Sequence, residues 1–324
     1  MRQALFVNAL PHYFHPHLNS IMFSAYKRYP FPVSLRTKFF NIFRYFFSYP
    51  FLEKFLVAKL SKRKTKWSKF IPPLYFYNDS SIRQVKRNNI NYRLCINRLM
   101  DHSIYFFSVR DEGWVNLFRI LKPEFSVIDA GANIGFLSLK FAQLCSRGLI
   151  YSFEPDSETF SFLRQNVELN KVPNVKLFNK ALGAESGVAK LYKLYANNPG
   201  ANRILKERPE SPVVSETIEL LTLDALKREG FIRKVDLIKI DVEGYELFVL
   251  KGAKEVIEEW KPLLFIELAE INLRQQHCTA LDLIEFVENL GYNVLDARNM
   301  QPVDKTFANH HTDILCFPNR ISTI

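Results

Sequence analysis

Cysteine is scarce in this chain, and no pair of cysteines has the spacing of a metal site or of a disulfide scaffold. Only four are present among 324 residues, and none forms a C-x-x-C pair. That pattern indicates buried thiols in a reducing compartment. Histidines cluster once, at His12, His15 and His17, in a stretch that prolines interrupt and that lacks a soft fourth ligand. We therefore expect no structural metal ion.

Long apolar runs are absent as well. Residues 3 to 26 form the longest stretch without charge, and Pro11 and Pro16 interrupt it. A transmembrane helix needs about 20 consecutive apolar residues, and a signal peptide needs a continuous apolar centre. We therefore expect neither, and we predict a cytoplasmic protein whose only membrane contact would be peripheral, at the inner face.

Acidic residues are nearly missing from the first 100 positions. This segment holds 18 of the 44 Lys and Arg but only 2 of the 33 Asp and Glu, a net charge of +16, whereas the remainder carries −5. Five phenylalanines recur there at helical spacing: Phe39, Phe40, Phe43, Phe46 and Phe47. Arg36, Lys38 and Arg44 lie among them, and a basic run follows at residues 61 to 69.

Two interpretations of this basic segment stay open. Basic side chains with aromatic anchors are typical of a helix that lies on an anionic membrane surface. The alternative is a helical subdomain whose aromatic face packs on the core or on a second subunit. We expect no nucleic-acid partner, because no known nucleic-acid module is present and the aromatics follow an apolar face. The sequence does not define the oligomeric state.

Alternating strand and helix patterns predict the fold class. We expect an α/β, Rossmann-like sheet, mostly parallel with an antiparallel closing strand, and covered by helices on both faces. We assign residues 1–80 to a basic aromatic helical extension, 81–105 to a short β hairpin and 106–324 to the Rossmann-like domain. Between residues 184 and 222 the helical rhythm lapses, and we interpret the tip of this excursion, through Asn202, as a lid over the ligand crevice.

The stretch from Asp129 to Gly135 has the pattern of a strand, a glycine turn and the start of a helix. Gly131 and Gly135 allow backbone to approach a ligand closely. The dinucleotide fingerprint G-x-G-x-x-G is absent, because Asn133 stands at its second glycine. This turn suits an adenosine-bearing ligand without a pyrophosphate cradle, and S-adenosylmethionine (SAM) is such a ligand.

A carboxylate follows the next strand. Residues 148 to 153 have a strand pattern that ends at Glu154, a position from which a side chain accepts both hydroxyl groups of a ribose. NAD enzymes use the same arrangement. Glu154 therefore supports the binding of a nucleoside without distinguishing between the two cofactors.

Three further carboxylates follow buried-type strands. Asp241 and Glu243 come after the strand 235–240, and Glu267 ends the strand 262–266. Because ligands bind outside the carboxyl ends of parallel strands, we expect these acids to converge on one crevice. Such a group suits a cation, a cluster of hydroxyls or proton transfer. We interpret Glu246 as a helix cap and Lys239 as the structural partner of a nearby acid.

Several motifs together resemble the FkbM family of SAM-dependent methyltransferases. They are D-x-G-A-N-x-G at 129–135, F-E-P at 153–155, A-L-G at 181–183, T-L-D at 222–224 and K-I-D-V-E-G-x-E at 239–246. The resemblance covers roughly residues 100 to 318 and implies a class I methyltransferase fold with O-methylation of a hydroxyl. One departure is visible, since a Tyr-Glu pair usual before the first strand is replaced here by Asp111-Glu112-Gly113-Trp114.

The resemblance also implies roles for individual residues. Cofactor contacts are expected from Asp129, Gly131, Ala132, Asn133, Gly135, Glu154, Asn179, Ala181 and Asp241. The resemblance places Asp241 and Glu243 at the reacting centre. Because methyl transfer needs a group that takes up the hydroxyl proton, we expect Asp241 to be the general base, Glu267 to be the second choice and Glu243 to orient the acceptor or SAM. His102 is a further candidate base. A divalent cation is compatible with this set but not required by it.

We therefore predict an enzyme, a SAM-dependent O-methyltransferase of the EC 2.1.1 class. Its acceptor would be a small molecule, a sugar, a glycan or a lipid-linked glycan. The alternatives are a nicotinamide-dependent oxidoreductase, which would share the glycine turn and Glu154, and a non-catalytic membrane-associated SAM-binding protein.

Overall fold

The computed structural model describes residues 34–60, 66–107, 111–210, 212–305 and 311–319. The histidine cluster of residues 12, 15 and 17 and most of the basic run, with Lys62, Arg63 and Lys64, lie outside the described residues. The expectations for those positions stay predictions.

Helices and strands alternate along most of the chain. The helices are α1 (Leu35–Phe46), α2 (Pro50–Leu60), α3 (Leu99–Phe106), α4 (Glu112–Ile120), α5 (Phe136–Leu144), α6 (Ser157–Asn170), α7 (Leu223–Arg228), α8 (Glu246–Lys251), α9 (Lys254–Trp260), α10 (Glu270–Arg274) and α11 (Ala280–Asn289). The strands are β1 (Ile82–Arg87), β2 (Ile90–Cys95), β3 (Val127–Ala130), β4 (Ile150–Phe153), β5 (Val175–Phe178), β6 (Ala181–Leu182), β7 (Gly187–Lys193), β8 (Arg203–Ile204), β9 (Val214–Leu221), β10 (Leu237–Ile240), β11 (Leu263–Ala269), β12 (Tyr292–Asp296) and β13 (His311–Pro318).

Seven strands form the central sheet, in the spatial order β12-β13-β11-β10-β3-β4-β5. The pairs from β11 to β5 are parallel, whereas β13 runs antiparallel to both β11 and β12. Every residue of β3, β4 and β10 is buried, as in sheets that are covered on both faces. The prediction of a mostly parallel α/β sheet with an antiparallel closing strand is confirmed.

Apolar runs explain why these central strands are buried, and three polar residues interrupt them. Asp129, Ser152 and Lys239 occupy neighbouring positions in register across β3, β4 and β10. All three are at most 2% exposed. Burial of such groups is costly unless they satisfy one another, so this polar row has to form a connected network beneath the strand ends.

The excursion after β5 forms a second, four-stranded sheet of order β6-β9-β7-β8. The hairpin of β7 and β9 is antiparallel, in agreement with the two strand-like runs of the sequence. A short helical turn at Pro199–Ala201 lies at its tip. The tip contacts the crevice, as expected, and its action as a lid stays a prediction.

The segment before the central sheet combines helices with a hairpin. Strands β1 and β2 pair antiparallel, and Asn88 and Asn89 both have positive φ in the turn between them. The hairpin is shorter than predicted, because residues 99–106 form α3. Leu56 of α2 is fully buried in a cluster with the hairpin and with α6, so α2 anchors the extension on the domain.

Candidate functional site

A cavity of about 440 Å³ opens at the carboxyl ends of β3, β4 and β10. Its wall includes the glycine turn after β3, Glu154, the strand β6, the tip of the excursion, the acids after β10 and Glu267 within β11. This size and place are typical of a small-molecule site at the edge of a parallel sheet.

The glycine turn has a packing reason as well as a binding reason. Gly131 has φ +75°, and a Cβ built on it would lie 1.8 Å from the backbone oxygen of Asp241. Gly135 has φ +90°, and its Cβ would lie 2.7 Å from the side chain of Leu163. Side chains at these positions would therefore push the turn away from β10 and α6 and reshape the cavity floor.

Glu154 holds the turn in place through its carboxylate. One oxygen accepts a hydrogen bond from the amide of Asn133 and the other from the amide of Asp156, each at 2.9 Å. Burial raises the pKa of Glu154 to about 8. The side chain lines the cavity, as expected for a group that accepts ribose hydroxyls.

Asp129 lies beneath the cavity and not in its wall, in contrast to the expected cofactor contact. Its Oδ1 lies 3.1 Å from Nζ of Lys239, and its Oδ2 accepts a hydrogen bond of 2.6 Å from Ser138. Ser138 is bonded in turn to Ser152. These contacts complete the polar row across β3, β4 and β10, so Asp129 supports the strand ends from below.

Lys239 joins this buried network to the cavity. Its Nζ donates to the carbonyl oxygens of Ala130 and Gly131 and lies 3.6 Å from Asp241. Burial alone lowers the pKa of Lys239, but Asp129 and Asp241 outweigh it and leave that pKa above its ordinary value. The prediction that Lys239 is the partner of a nearby acid is confirmed.

Two residues expected beside adenine have different positions. Ala181 lines the cavity together with Leu182. The Asn179 amide instead donates to the carbonyl oxygens of Glu154 and Pro155, at 2.9 and 3.0 Å. Asn179 therefore fixes the end of β4, and the adjacent β6 supplies apolar surface to the cavity.

Three acids meet at the far end of the cavity, and we call Asp241, Glu243 and Glu267 the carboxylate cluster. Carboxylate oxygens of these residues lie within 4.8 Å of one another. Burial and the charge of Asp241 raise the pKa of Glu243 to about 7. Burial and the charges of Asp241 and Glu243 raise the pKa of Glu267 well above its ordinary value. Crowded like charges therefore favour protonation in this cluster.

Glu243 and Glu267 differ in their partners. Oε2 of Glu243 accepts hydrogen bonds from Arg203 at 3.1 Å and from Asn272 at 2.8 Å. Oε2 of Glu267 is buried and has no hydrogen-bond partner among the described residues. Glu246 caps its own turn, since Oε1 accepts from the amides of Val242 and Gly244, as the sequence indicated.

A second cavity of about 170 Å³ adjoins the first. Both are lined by Trp114, Leu137, Lys239, Asp241 and Glu267. The second is also lined by Asp111, Arg298, His311 and Asp313. Burial and the charges of Asp241 and Asp111 raise the pKa of Asp313 to about 7. Asp241 and Glu267 therefore lie at the junction of the two cavities.

His102 does not reach either cavity and is not available as a base there. Its Nε2 lies 2.8 Å from the carbonyl oxygen of Pro72, and its ring packs against Phe106. Burial lowers the pKa of His102 to about 4. This histidine holds the extension against α3.

Four residues near the carboxylate cluster were missed by the sequence reasoning: Arg203, Asn272, Arg298 and Asp313. Arg203 follows the tip of the excursion, which no motif marks. Asp313 lies opposite Glu267 in the register of β11 and β13. In the sequence, Asp313 is marked only as a polar residue beside the closing strand. The pairing of that strand with β11, which brings Asp313 next to Glu267, was not predicted.

The fold and the cavities define a class I SAM-dependent methyltransferase, and comparison with known proteins gives the family. Residues 129–294 match the Methyltransferase FkbM domain, which is about half of the chain. The protein therefore belongs to the FkbM methyltransferase family and is a methyltransferase enzyme that uses SAM. This membership decides against the nicotinamide-dependent oxidoreductase and against the non-catalytic alternative.

Three curated relatives are similar over part of their length. Methyltransferase 1 of Beauveria bassiana is 28% identical over 177 residues, which cover 49% of this chain and 70% of the relative. The hexuronic acid methyltransferase AglP of Haloferax volcanii is 30% identical over 132 residues, 40% of this chain and 50% of the relative. The 2-O-methyltransferase NoeI of Sinorhizobium fredii is 27% identical over 151 residues, which cover 42% of this chain and 60% of the relative.

Proposed function

We propose that this enzyme is an O-methyltransferase that acts on a hydroxyl group of a sugar, a glycan or a lipid-linked acceptor. The observation that carries the proposal is the position of Asp241 and Glu267, whose side chains line both cavities. Side chains at this junction would lie between SAM in the larger cavity and an acceptor in the smaller one. The names of two relatives, a hexuronic acid methyltransferase and a 2-O-methyltransferase, support a sugar acceptor.

The residues of the larger cavity fit SAM. Gly131, Ala132 and Asn133 line the cavity where the methionine end would lie, and the absence of a side chain at Gly131 allows the close packing of this turn on the Asp241 backbone. Glu154 would accept the ribose hydroxyls, and Ala181 would lie beside adenine. When bound, SAM would supply a methyl group on a positively charged sulfur. An oxygen nucleophile attacks such a methyl carbon in line, and the sulfur leaves as a neutral thioether.

Asp241 is the residue that we propose as general base. Its side chain is 46% exposed, and Lys239 stabilises its negative charge from 3.6 Å. Burial and neighbouring charges raise the pKa of Glu267 and of Asp313, which makes these two carboxyls less suited to accept a further proton. Asp241 would accept the hydroxyl proton as the acceptor oxygen forms its bond to the methyl carbon. Glu243, fixed by Arg203 and Asn272, would orient the acceptor.

A divalent cation is the alternative to direct proton transfer. The spacing of the carboxylate cluster allows it, and carboxylate oxygens are ligands that Mg²⁺ accepts. However, Oε2 of Glu243 is already bonded to the Arg203 guanidinium, whose charge would repel a nearby cation. We therefore propose the base mechanism. Full activity in EDTA supports it, whereas loss of activity that Mg²⁺ restores supports the cation.

The proposed reaction is tested with an acceptor panel and radiolabelled SAM. The panel contains uronic acids, neutral sugars and lipid-linked glycans, and Asp241→Asn is the matched control. We expect label on a hydroxyl oxygen of at least one carbohydrate acceptor, and far less with the control. Label found only on nitrogen, or only on protein or RNA acceptors added to the panel, would contradict the proposal.

A further inference from the structure

Helix α1 presents its apolar side outward. Five large apolar residues of this helix are between 40% and 83% exposed: Leu35, Phe39, Ile42, Phe43 and Phe46. Their spacing of three and four residues places them on one face of the helix. Arg36 and Lys38 are also exposed and, at 100° per residue, fall on either side of this stripe.

The inward side of α1 combines aromatic and polar groups, since Phe47 packs against the buried cluster that contains Leu56 and the ring of Tyr45 contacts that of Phe76. Asn41 is 3% exposed and donates a hydrogen bond of 2.8 Å to the hydroxyl of Tyr75. Its side-chain oxygen accepts a hydrogen bond of 3.0 Å from Arg44, which also bonds the carbonyl oxygen of Lys69. Within the described residues, Phe43 of the stripe contacts the ring of Phe70 at 6.3 Å between ring centres, whereas the other four members remain at least 40% exposed.

The exposed apolar surface continues into α2. Tyr49, Phe51 and Phe55 are 52%, 80% and 43% exposed. We call these three residues and the five of α1 the aromatic face. Isolated exposed apolar side chains are ordinary, but eight large ones within residues 35–55 are typical of an interaction surface.

Charge identifies the partner of the aromatic face. Residues 34 to 77 contain ten Lys and Arg but one acidic residue, Glu53. Glu53 is fully buried, and Arg83 bonds both of its oxygens, at 2.5 and 3.1 Å. The only carboxylate of this segment is therefore directed inward and neutralised. Lys59 lies 5.2 Å from the ring centre of Phe55, so basic and aromatic groups share the outer surface.

We propose that the aromatic face docks on an anionic lipid membrane, with α1 and α2 lying in the plane of the headgroups. Aromatic rings fit the headgroup region, and flanking Arg and Lys attract anionic lipids. Among the residues that the structure describes, no helix has the length and apolar character needed to cross a bilayer. The surface excess of positive charge favours an anionic bilayer over a second copy of this chain, whose corresponding face carries the same charge.

Docking there would bring the cavity close to the membrane. Helix α2 packs against α3, and Leu99, Met100 and Ser103 of α3 line the larger cavity. A lipid-linked acceptor would then reach the site without leaving the bilayer. The docking inference itself does not depend on the nature of the acceptor.

The test is flotation of the 324-residue chain with vesicles of phosphatidylcholine, with and without phosphatidylglycerol. We expect binding to the anionic vesicles alone, and weaker binding as salt rises. Phe39→Ser should lower the partition coefficient about tenfold or more. Arg36→Gln and Lys38→Gln should each lower it about fivefold. Phe231→Ser is the matched control, since Phe231 and Phe39 are both 57% exposed.

Stabilisation by SAM in a thermal-shift assay confirms that each variant is folded. Three outcomes would overturn the proposal: no flotation of the wild type with anionic vesicles at low salt, equal loss with Phe231→Ser, or unchanged flotation with Phe39→Ser. A wild-type dimer that Phe39→Ser converts to monomer would also overturn it, because a second copy would then cover the aromatic face.

Discussion

The two ends of the large cavity are built in opposite ways. At the glycine turn, the buried acids are satisfied by hydrogen bonds or a lysine: Glu154 bonds two backbone amides, and Asp129 contacts Ser138 and Lys239. At the carboxylate cluster, acids face one another, and Oε2 of Glu267 has no hydrogen-bond partner among the described residues. The acids at the glycine-turn end therefore have their polar partners within the protein, whereas the acids of the carboxylate cluster repel one another.

This difference indicates that the glycine-turn end serves cofactor binding and the carboxylate cluster serves the chemical step. A buried polar network whose groups all have partners is rigid, so the glycine-turn end provides a fixed binding surface for a cofactor. Crowded carboxylates are costly to ionise together, so their protons are easily redistributed. We therefore expect substitutions at the glycine-turn end to change SAM affinity and substitutions at the carboxylate cluster to change turnover.

The largest effect is expected from Asp241→Asn. The substitution is nearly isosteric but removes the proposed proton acceptor, and positioned proton transfer contributes about 10²–10⁴-fold to a rate. Turnover should fall by that factor in a radiolabel assay, while the SAM dissociation constant from calorimetry stays within a few-fold of the wild type. If turnover stays within a few-fold, the base is another residue, and Glu267 becomes the first candidate.

The next effect concerns Glu154→Ala. Loss of charge-assisted hydrogen bonds to the ribose should weaken SAM binding by about 1.5–3 kcal/mol, as measured by calorimetry. The measurement is made above pH 8, where the wild-type carboxylate is ionised. Asp241→Asn provides the comparison, since it should leave the affinity nearly unchanged. An unaltered affinity in a folded Glu154→Ala protein would remove Glu154 from the cofactor site.

A dependence of SAM affinity on pH should accompany that effect. Because burial raises the pKa of Glu154 to about 8, the free protein carries this carboxyl mostly protonated at pH 6. Ribose hydroxyls donate best to the ionised form, so affinity should rise with pH from 6 to 8, at most about tenfold per unit, and level off above. Calorimetry of Glu154→Gln should give a flat profile. An equal slope in that variant would assign the titration to another group.

The sequence predicted the turn at 129–135 and the meeting of three acids, but not the residues that surround the carboxylate cluster, for a physical reason. The turn at 129–135 is one continuous segment, and glycine is needed at position 131 because a Cβ there would lie 1.8 Å from the backbone oxygen of Asp241. Arg203, Asn272 and Asp313 lie on separate segments that meet only through strand order and register. No local pattern encodes those meetings, although strand-end acids correctly indicated that Asp241, Glu243 and Glu267 converge.

Asp129 shows the limit of the strand-end argument. A carboxylate before a glycine turn was expected to face the cofactor, yet side chains alternate along a strand and a single residue sets the face. Lys239 in the neighbouring β10 lies in register with Asp129 and forms an ion pair with it. The lysine was correctly interpreted as the partner of an acid, but the identity of that acid required the order of the strands.

The smallest effect is expected at Glu267, and it separates the two members of the junction. Burial and neighbouring charges keep the pKa of Glu267 well above its ordinary value, which favours the protonated carboxyl. A protonated carboxyl and an amide both donate hydrogen bonds, so Glu267→Gln should retain turnover within about tenfold, less than about 1.4 kcal/mol. Glu267→Ala, which removes the donor, should lose more. If Glu267→Gln is as damaging as Asp241→Asn, Glu267 is ionised during the reaction, and proton acceptance belongs to both residues.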